Sequence, residues 1–288
     1  MRGRTRRDEI VGEHRREQIR VIALIGATLV LLISLMVSCG KSCGCGCGCG
    51  CGGSEPVMQV GGEEEKTEQD SGELVLTGED TAFLSSVAEY PCLVNRENPL
   101  PFGYAPPNPV ILQGMPNGTK NMLNYDAANA FTVMRDAMMK DGIAVDPLSG
   151  YRTYDEQVSI FNYNVELHVG EGMTPEEARE YTERFVALPG TSEHQYGRSS
   201  DVTIDGTTNH SFHETEQGKW LIDHAHEYGF IIRYPEDKAD ITGINYEPWH
   251  LRWVGEEHAS FMHRHGICLE EYARLVLQYN PGAVMFYD

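Results

Sequence analysis

Residues 247–255, Glu-Pro-Trp-His-Leu-Arg-Trp-Val-Gly, decide how this chain is read. A carboxylate, an imidazole and a guanidinium fall within six positions, between two tryptophans. The aromatic and β-branched run after Pro248 predicts a strand over 249–254, since proline is tolerated at strand starts and bulges. In a regular strand, side chains three apart point to opposite faces. Glu247 and His250 can therefore share one site only if the chain turns at Pro248. His250 and Arg252 would then share a face.

A single histidine is weak evidence for a ligand, so the case needs partners. Residues 189–205, Pro-Gly-Thr-Ser-Glu-His-Gln-Tyr-Gly-Arg-Ser-Ser-Asp-Val-Thr-Ile-Asp, supply them. His194 lies in a Gly-bounded loop, and Asp201 follows seven residues later at a strand start. Two imidazoles and one carboxylate suit zinc, and three protein ligands leave a coordination position open, as catalytic zinc sites do. Glu247 would then be a spare carboxylate, free to take a proton from water on the metal.

Outward from these stretches, strands and helices mix without a regular βαβ repeat. This predicts an α+β fold, a small and mostly antiparallel sheet packed with helices. Helices are expected at 125–140, 154–169, 174–187, 214–228, 255–265 and 269–279. Strands are expected at 143–145, 201–204 and 230–233, besides 249–254. Thr174-Pro175-Glu176-Glu177 is a capping signature, with Pro at the first helical position. Residues 91–118, rich in Pro, Asn and Gly, predict an irregular arm. His224, His226, His258, His263 and His265 read as surface or packing residues. Arg233 reads equally as a support to the site or as half of a structural ion pair.

The chain has 288 residues and a formal charge of -20. Residues 1–20 hold seven Arg and four acids, a balance of +3, which leaves -23 for the rest. So acidic a body repels nucleic acid, and that partner class is set aside. Residues 21–38 carry no charge. As a helix they would span about 27 Å, near the thickness of a bilayer core. The Arg-rich flank predicts a single-pass anchor with its N-terminus in the cytoplasm. Cys39 behind Leu-Met-Val-Ser leaves lipidation as the alternative to an uncleaved anchor. The organisation is thus a basic cytoplasmic tail at 1–20, an apolar anchor at 21–38, a Cys-Gly tract and acidic disordered linker at 39–80, and a catalytic domain at 81–288. Six of eight cysteines lie between 39 and 51, alternating with Gly for the most part, and without the C-x-x-C spacing of structural zinc sites. Cys92 and Cys268 form a candidate disulfide in an oxidising compartment.

Ser-Glu-His-Gln-Tyr-Gly-Arg-Ser-Ser-Asp at 192–201, followed by Glu-Pro-Trp-His-Leu-Arg at 247–252, resembles the paired signature of the VanY-type zinc D-alanyl-D-alanine carboxypeptidases. The runs 149–157 and 228–238, and Ile241-Thr-Gly, are also similar to that family, so the resemblance covers about residues 110–260. It implies that His194, Asp201 and His250 bind zinc and that Glu247 is the base. It implies that Arg152 holds the substrate carboxylate or polarises the scissile carbonyl, with Gln157 and Ser192 lining the pocket. It further implies the fold shared with the Hedgehog signalling domain, and peptidoglycan stem peptides as substrates. Trp253 stands where Tyr is usual in the family and Ser199 where Ala is common, while Arg198 adds a charge. None of these is a proposed ligand. The expected reaction is removal of the terminal D-alanine from stem pentapeptides by a membrane-held monomer. Alternatives are an L,D-carboxypeptidase acting on tetrapeptides and a non-catalytic cell-wall binding module.

Overall fold

Helix starts in this chain are written in its capping residues, and the computed structural model, which describes residues 74–112 and 118–286, shows them in use. The expected basic tail, apolar anchor at 21–38 and Cys-Gly tract lie outside the described residues. Among the described residues no helix is long and apolar enough to cross a membrane.

Helix α1 (Gly78–Ser86) starts at Thr77, whose hydroxyl accepts from the Asp80 backbone N–H while Asp80 accepts from the Thr77 N–H. This helix overlaps the last three residues of the stretch expected to be a disordered linker to residue 80. Strand β1 (Glu89–Pro91) leads into the irregular arm, whose described residues include β2 (Pro109–Ile111), paired with β3 (Met122–Asn124). Asn124 caps α2 (Tyr125–Lys140), which buries Ala127, Phe131, Met134 and Met138 along one stripe. Each of the large ones contributes about 1.5–3 kcal/mol relative to exposure.

Strand β4 (Asp146–Ser149) replaces the strand expected at 143–145. Val145 is buried in the core, but pairing begins one residue later. Pro147 argued against a strand there. It is accommodated because β4 is an edge, where a missing N–H breaks no ladder. Helices α3 (Tyr154–Gly170) and α4 (Pro175–Thr182) both carry full capping boxes, at Thr153 and Thr174. Helix α4 ends five residues earlier than expected, which frees Phe185, Val186 and Ala187 to line the site cavity. The short α5 (Glu193–Tyr196) stops at Gly197, whose φ of 80° reverses the chain into β5 (Ser199–Thr203).

Helix α6 (Glu216–His224) is extended by a 3-10 turn over Ala225–Tyr228 and ends at Gly229, also left-handed. Then come β6 (Phe230–Tyr234), a single turn α7 (Ala239–Thr242), β7 (Glu247–Trp253), α8 (Glu256–His265), α9 (Leu269–Tyr279) and β8 (Val284–Phe286), which pairs in parallel with β1.

The central sheet has the order β4-β5-β7-β6 and is antiparallel throughout, as expected. Its strands alternate. Val202, Phe230, Ile232, Trp249, Leu251 and Trp253 pack with the α2 and α6 side chains in one core. A second core joins Leu84, Phe261, Met262, Leu269, Tyr272 and Val276 from α1, α8 and α9 with Ile231 of β6 and Val254 just after β7. The candidate disulfide is not formed: Cys92 and Cys268 are buried thiols with no bond between them. Cys92 packs with Val94, Leu100 and Tyr196, whereas Cys268 heads α9, where burial pushes its thiol up to about 12.

Candidate metal centre and active site

The site occupies the polar side of the same strands. Asp201 on β5 lies directly opposite His250 on β7, and Ser199 opposite Arg252. His194 comes from α5. Asp201 bridges the two imidazoles: Oδ1 is 2.9 Å from His250 Nδ1 and Oδ2 is 3.4 Å from His194 Nε2. The rings stand at 87° to each other, and the three ligand atoms lie within 4.8 Å of one another. His194 Nδ1 donates to the Gly150 carbonyl at 2.8 Å, which leaves Nε2 facing the centre. Gly150 must be a glycine: a Cβ there would meet the Met122 carbonyl oxygen at 2.5 Å.

Glu247 reaches this face through an irregularity in β7. Ile232 pairs with Leu251, but Tyr234 pairs with Glu247, so β7 carries two more residues than β6 over the interval. Bulges re-aim side chains in this way. The turn expected at Pro248 is therefore a slip in register within a continuous strand. It brings Glu247 Oε2 to 3.7 Å from His250 Nδ1.

Arg152 follows β4. Its guanidinium donates to Gln157 Oε1 at 2.7 Å and Ser149 Oγ at 2.9 Å, and its backbone N–H to the His194 carbonyl at 3.1 Å. Gln157 is itself fixed by donation to the Ala187 carbonyl. All seven residues expected from sequence (Arg152, Gln157, Ser192, His194, Asp201, Glu247, His250) line one cavity of about 280 Å³. A larger hollow of about 1170 Å³ lies around Arg96, Glu183 and Arg274, but it lacks a ligand triad. We place the chemistry in the smaller one on that ground.

Electrostatics sort the two acids. Burial raises the Asp201 carboxyl, but the adjacent His194 and His250 outweigh it and hold it well below the usual range. Burial pushes Glu247 up to about 8, against the pull of His250. A cation at the three ligands would draw it down again. Burial weakens the hold of Arg152 on its proton, while Asp201 and Glu247 oppose that, and guanidinium remains charged. Burial lowers the His250 imidazole, but Asp201, Glu193 and Glu247 outweigh it and raise it to about 9, so a metal there would displace a proton. Two imidazoles and a carboxylate, converging on one point, fit a zinc ion with one open position.

One residue of the site is missing from the sequence reading. Glu193, between Ser192 and His194, is fully buried in ion-pair contact with Arg233 and Arg252, each at 2.8 Å. Arg233 also grips Glu270 of α9 with two hydrogen bonds, at 2.9 and 2.6 Å. The only sequence signal was a pair of arginines at inward strand positions, needing acids to neutralise them. The remaining histidines keep away from the centre, as expected: His226 stacks on His263 at 3.8 Å and His265 pairs with Asp80.

Comparison with known proteins agrees with this geometry. A family model described as VanY, D-alanyl-D-alanine carboxypeptidase, matches residues 120–256. A D-alanyl-D-alanine carboxypeptidase of Enterococcus faecalis is 40% identical over 182 residues, covering 62% of this chain and 64% of that protein. The bifunctional D-Ala-D-Ala dipeptidase and D-Ala-D-Ala carboxypeptidase VanXYC of Enterococcus gallinarum is 35% identical, covering 62% of this chain and 91% of the relative. Among solved structures, a mutant of the vancomycin resistance D,D-pentapeptidase VanY from a VanB-type cassette, in complex with Zn(II), superposes with a TM-score of 0.56. It is 37% identical and covers 63% of this chain and 97% of its own. The chain thus spans just under two thirds of the length of the Enterococcus faecalis protein.

Proposed function

This chain belongs to the VanY family of D-alanyl-D-alanine carboxypeptidases, and we propose that it is a zinc peptidase that removes the C-terminal D-alanine from peptidoglycan stem pentapeptides. The observation that carries the proposal is the single cavity joining the His194–Asp201–His250 triad to Glu247 and Arg152. Zinc held by those three side chains supplies Lewis acidity, polarising a carbonyl and acidifying water.

The chain's own residues do the rest. Arg152, steadied by Gln157 and Ser149, offers a planar fork to the terminal carboxylate of the peptide or to the scissile carbonyl. Ser192, buried beside it, closes the same wall. Glu247 takes the proton from the attacking water as the new C–O bond forms. It then returns a proton to the amine of the departing D-alanine as the C–N bond breaks. The charge-free run at 21–38 behind seven arginines supports a membrane anchor that holds the enzyme outside the cytoplasm.

The test uses the full chain loaded with zinc, given a muropeptide pentapeptide and, separately, a tetrapeptide, with D-alanine release followed by mass. Release from the pentapeptide, lost on chelation and restored by zinc, is the expected outcome. Release from the tetrapeptide alone would make it an L,D-carboxypeptidase. Bound zinc with no release from either would make it a binding module.

A further inference from the structure

We propose that Glu193 is a positioning residue for His250: its carboxylate accepts the Nε2 proton of that imidazole and so presents Nδ1 to the metal. The inference rests on the zinc reading of the triad. It assigns a partner to a group that otherwise has none.

His250 is 3% exposed, and its Nε2 is buried without a hydrogen-bond partner. Nδ1 faces Asp201 at 2.9 Å and Glu247 at 3.7 Å, so Nδ1 is the nitrogen turned towards the ligand cluster. Nε2 points the other way, to Glu193 Oε2 at 3.8 Å. That distance is long for a hydrogen bond. The proposed arrangement requires this pair to close to hydrogen-bond distance when a metal is held at Nδ1. The other ligand histidine already has such a support, because His194 Nδ1 donates to the Gly150 carbonyl at 2.8 Å. Metal-bound histidines generally give their second N–H to a carboxylate or a carbonyl, which fixes tautomer and ring orientation. Gly150 and Glu193 would be the two halves of that support here.

The carboxylate is also held in place. Oε1 takes the Arg233 Nε bond and the Arg252 ion pair, both at 2.8 Å. Oε2 receives only a longer bond, from Ser199 Oγ at 3.2 Å, and keeps a lone pair for His250. Two arginines therefore fix one oxygen and aim the other. Through Arg233 the arrangement continues to Glu270 on α9. The charges are two acids and two arginines, so the cluster is balanced within itself.

A merely structural role for this cluster makes a different prediction, and two variants separate them. In Glu193→Gln the arginines claim the single amide oxygen, and the NH2 group is left facing the Nε2 proton of His250. In Glu270→Gln the same ion cluster loses a charge, but nothing facing His250 changes. Zinc affinity of the full chain, measured by competition with a chromophoric chelator, is expected to fall about 10- to 100-fold in Glu193→Gln and to stay at the wild-type value in Glu270→Gln. Equal affinity in Glu193→Gln and wild type would overturn the proposal, as would equal losses in both variants. Should Glu193→Gln fail to fold, nitrogen-15 histidine spectra of the zinc-loaded wild type decide. Zinc on Nδ1 with a slowly exchanging Nε2 proton is expected, and zinc on Nε2 overturns it. A wild-type chain that binds no zinc would overturn the zinc reading itself, which is a separate result.

Discussion

The two sides of the four-stranded sheet are made from alternate residues of the same strands and obey opposite rules. On one side Val202, Phe230 and Leu251 pack against α2, all 0% exposed. On the other, Arg233, His250 and Arg252 are also buried and Asp201 is half-buried, yet each is charged or titratable. The apolar side tolerates exchange of shape, because hydrophobic contact has little direction. The polar side does not, since every buried charge there is matched by a partner at a fixed distance. Strand periodicity of two is what lets one segment serve both demands.

The sharpest way to break the contrast is within the polar side. His194→Ala is expected to abolish stoichiometric zinc and all turnover. Glu247→Ala is expected to keep zinc and the fold but to lose turnover about 100- to 10,000-fold. Metal analysis beside the peptidase assay reads both. A full zinc complement in His194→Ala would remove that residue from the ligand set, and an active Glu247→Ala would end its role as base. Crossing the sheet, Phe230→Ala removes a ring packed edge-on against Phe131 at 6.1 Å. It is expected to cost about 3–5 kcal/mol in denaturant unfolding while leaving the zinc affinity of the folded fraction unchanged. A weakened metal site in that variant would show that the two sides are coupled.

The smallest effect is expected far from both. The Thr77 backbone N–H and hydroxyl, then His265, hold the Asp80 carboxyl well below its usual value. A depressed folded value means that its stabilisation is present above the unfolded value near pH 4 and is lost as pH falls below it. Melting temperatures of wild type and Asp80→Asn should differ at pH 7, and the gap should narrow steadily as pH falls below 4 towards the depressed folded value. A gap that persists at low pH would mean that Asp80 acts through packing alone.

Much of this was legible beforehand, for local reasons. Thr174 announces its helix start because a cap acts on a residue three positions away, and the same logic is in use at Thr153 and Asn124. His194, Asp201, Glu247 and His250 were found through residue type and family pattern, and they converge. What escaped depends on distant partners. Pro147 hides β4, since nothing local says that the strand lies at an edge. The slip in β7 is visible only against β6. Glu193 reads as an ordinary first-turn acid until Arg233 and Arg252 arrive from 40 and 59 positions away. Cys92 and Cys268 invite pairing by count, but the structure holds them as two unbonded thiols.

Gly150 carries a consequence for how this protein can be dissected. Its N–H bonds the Lys120 carbonyl at 2.6 Å, the next N–H bonds the Met122 carbonyl at 2.7 Å, and its own carbonyl receives His194. Every partner in that chain of contacts is main chain except the histidine. An alanine scan of residues 120 and 122 would therefore report silence at the place where a metal ligand is held. The support is written in backbone, so only a change at position 150 itself, where a single methyl group has no room, can erase it.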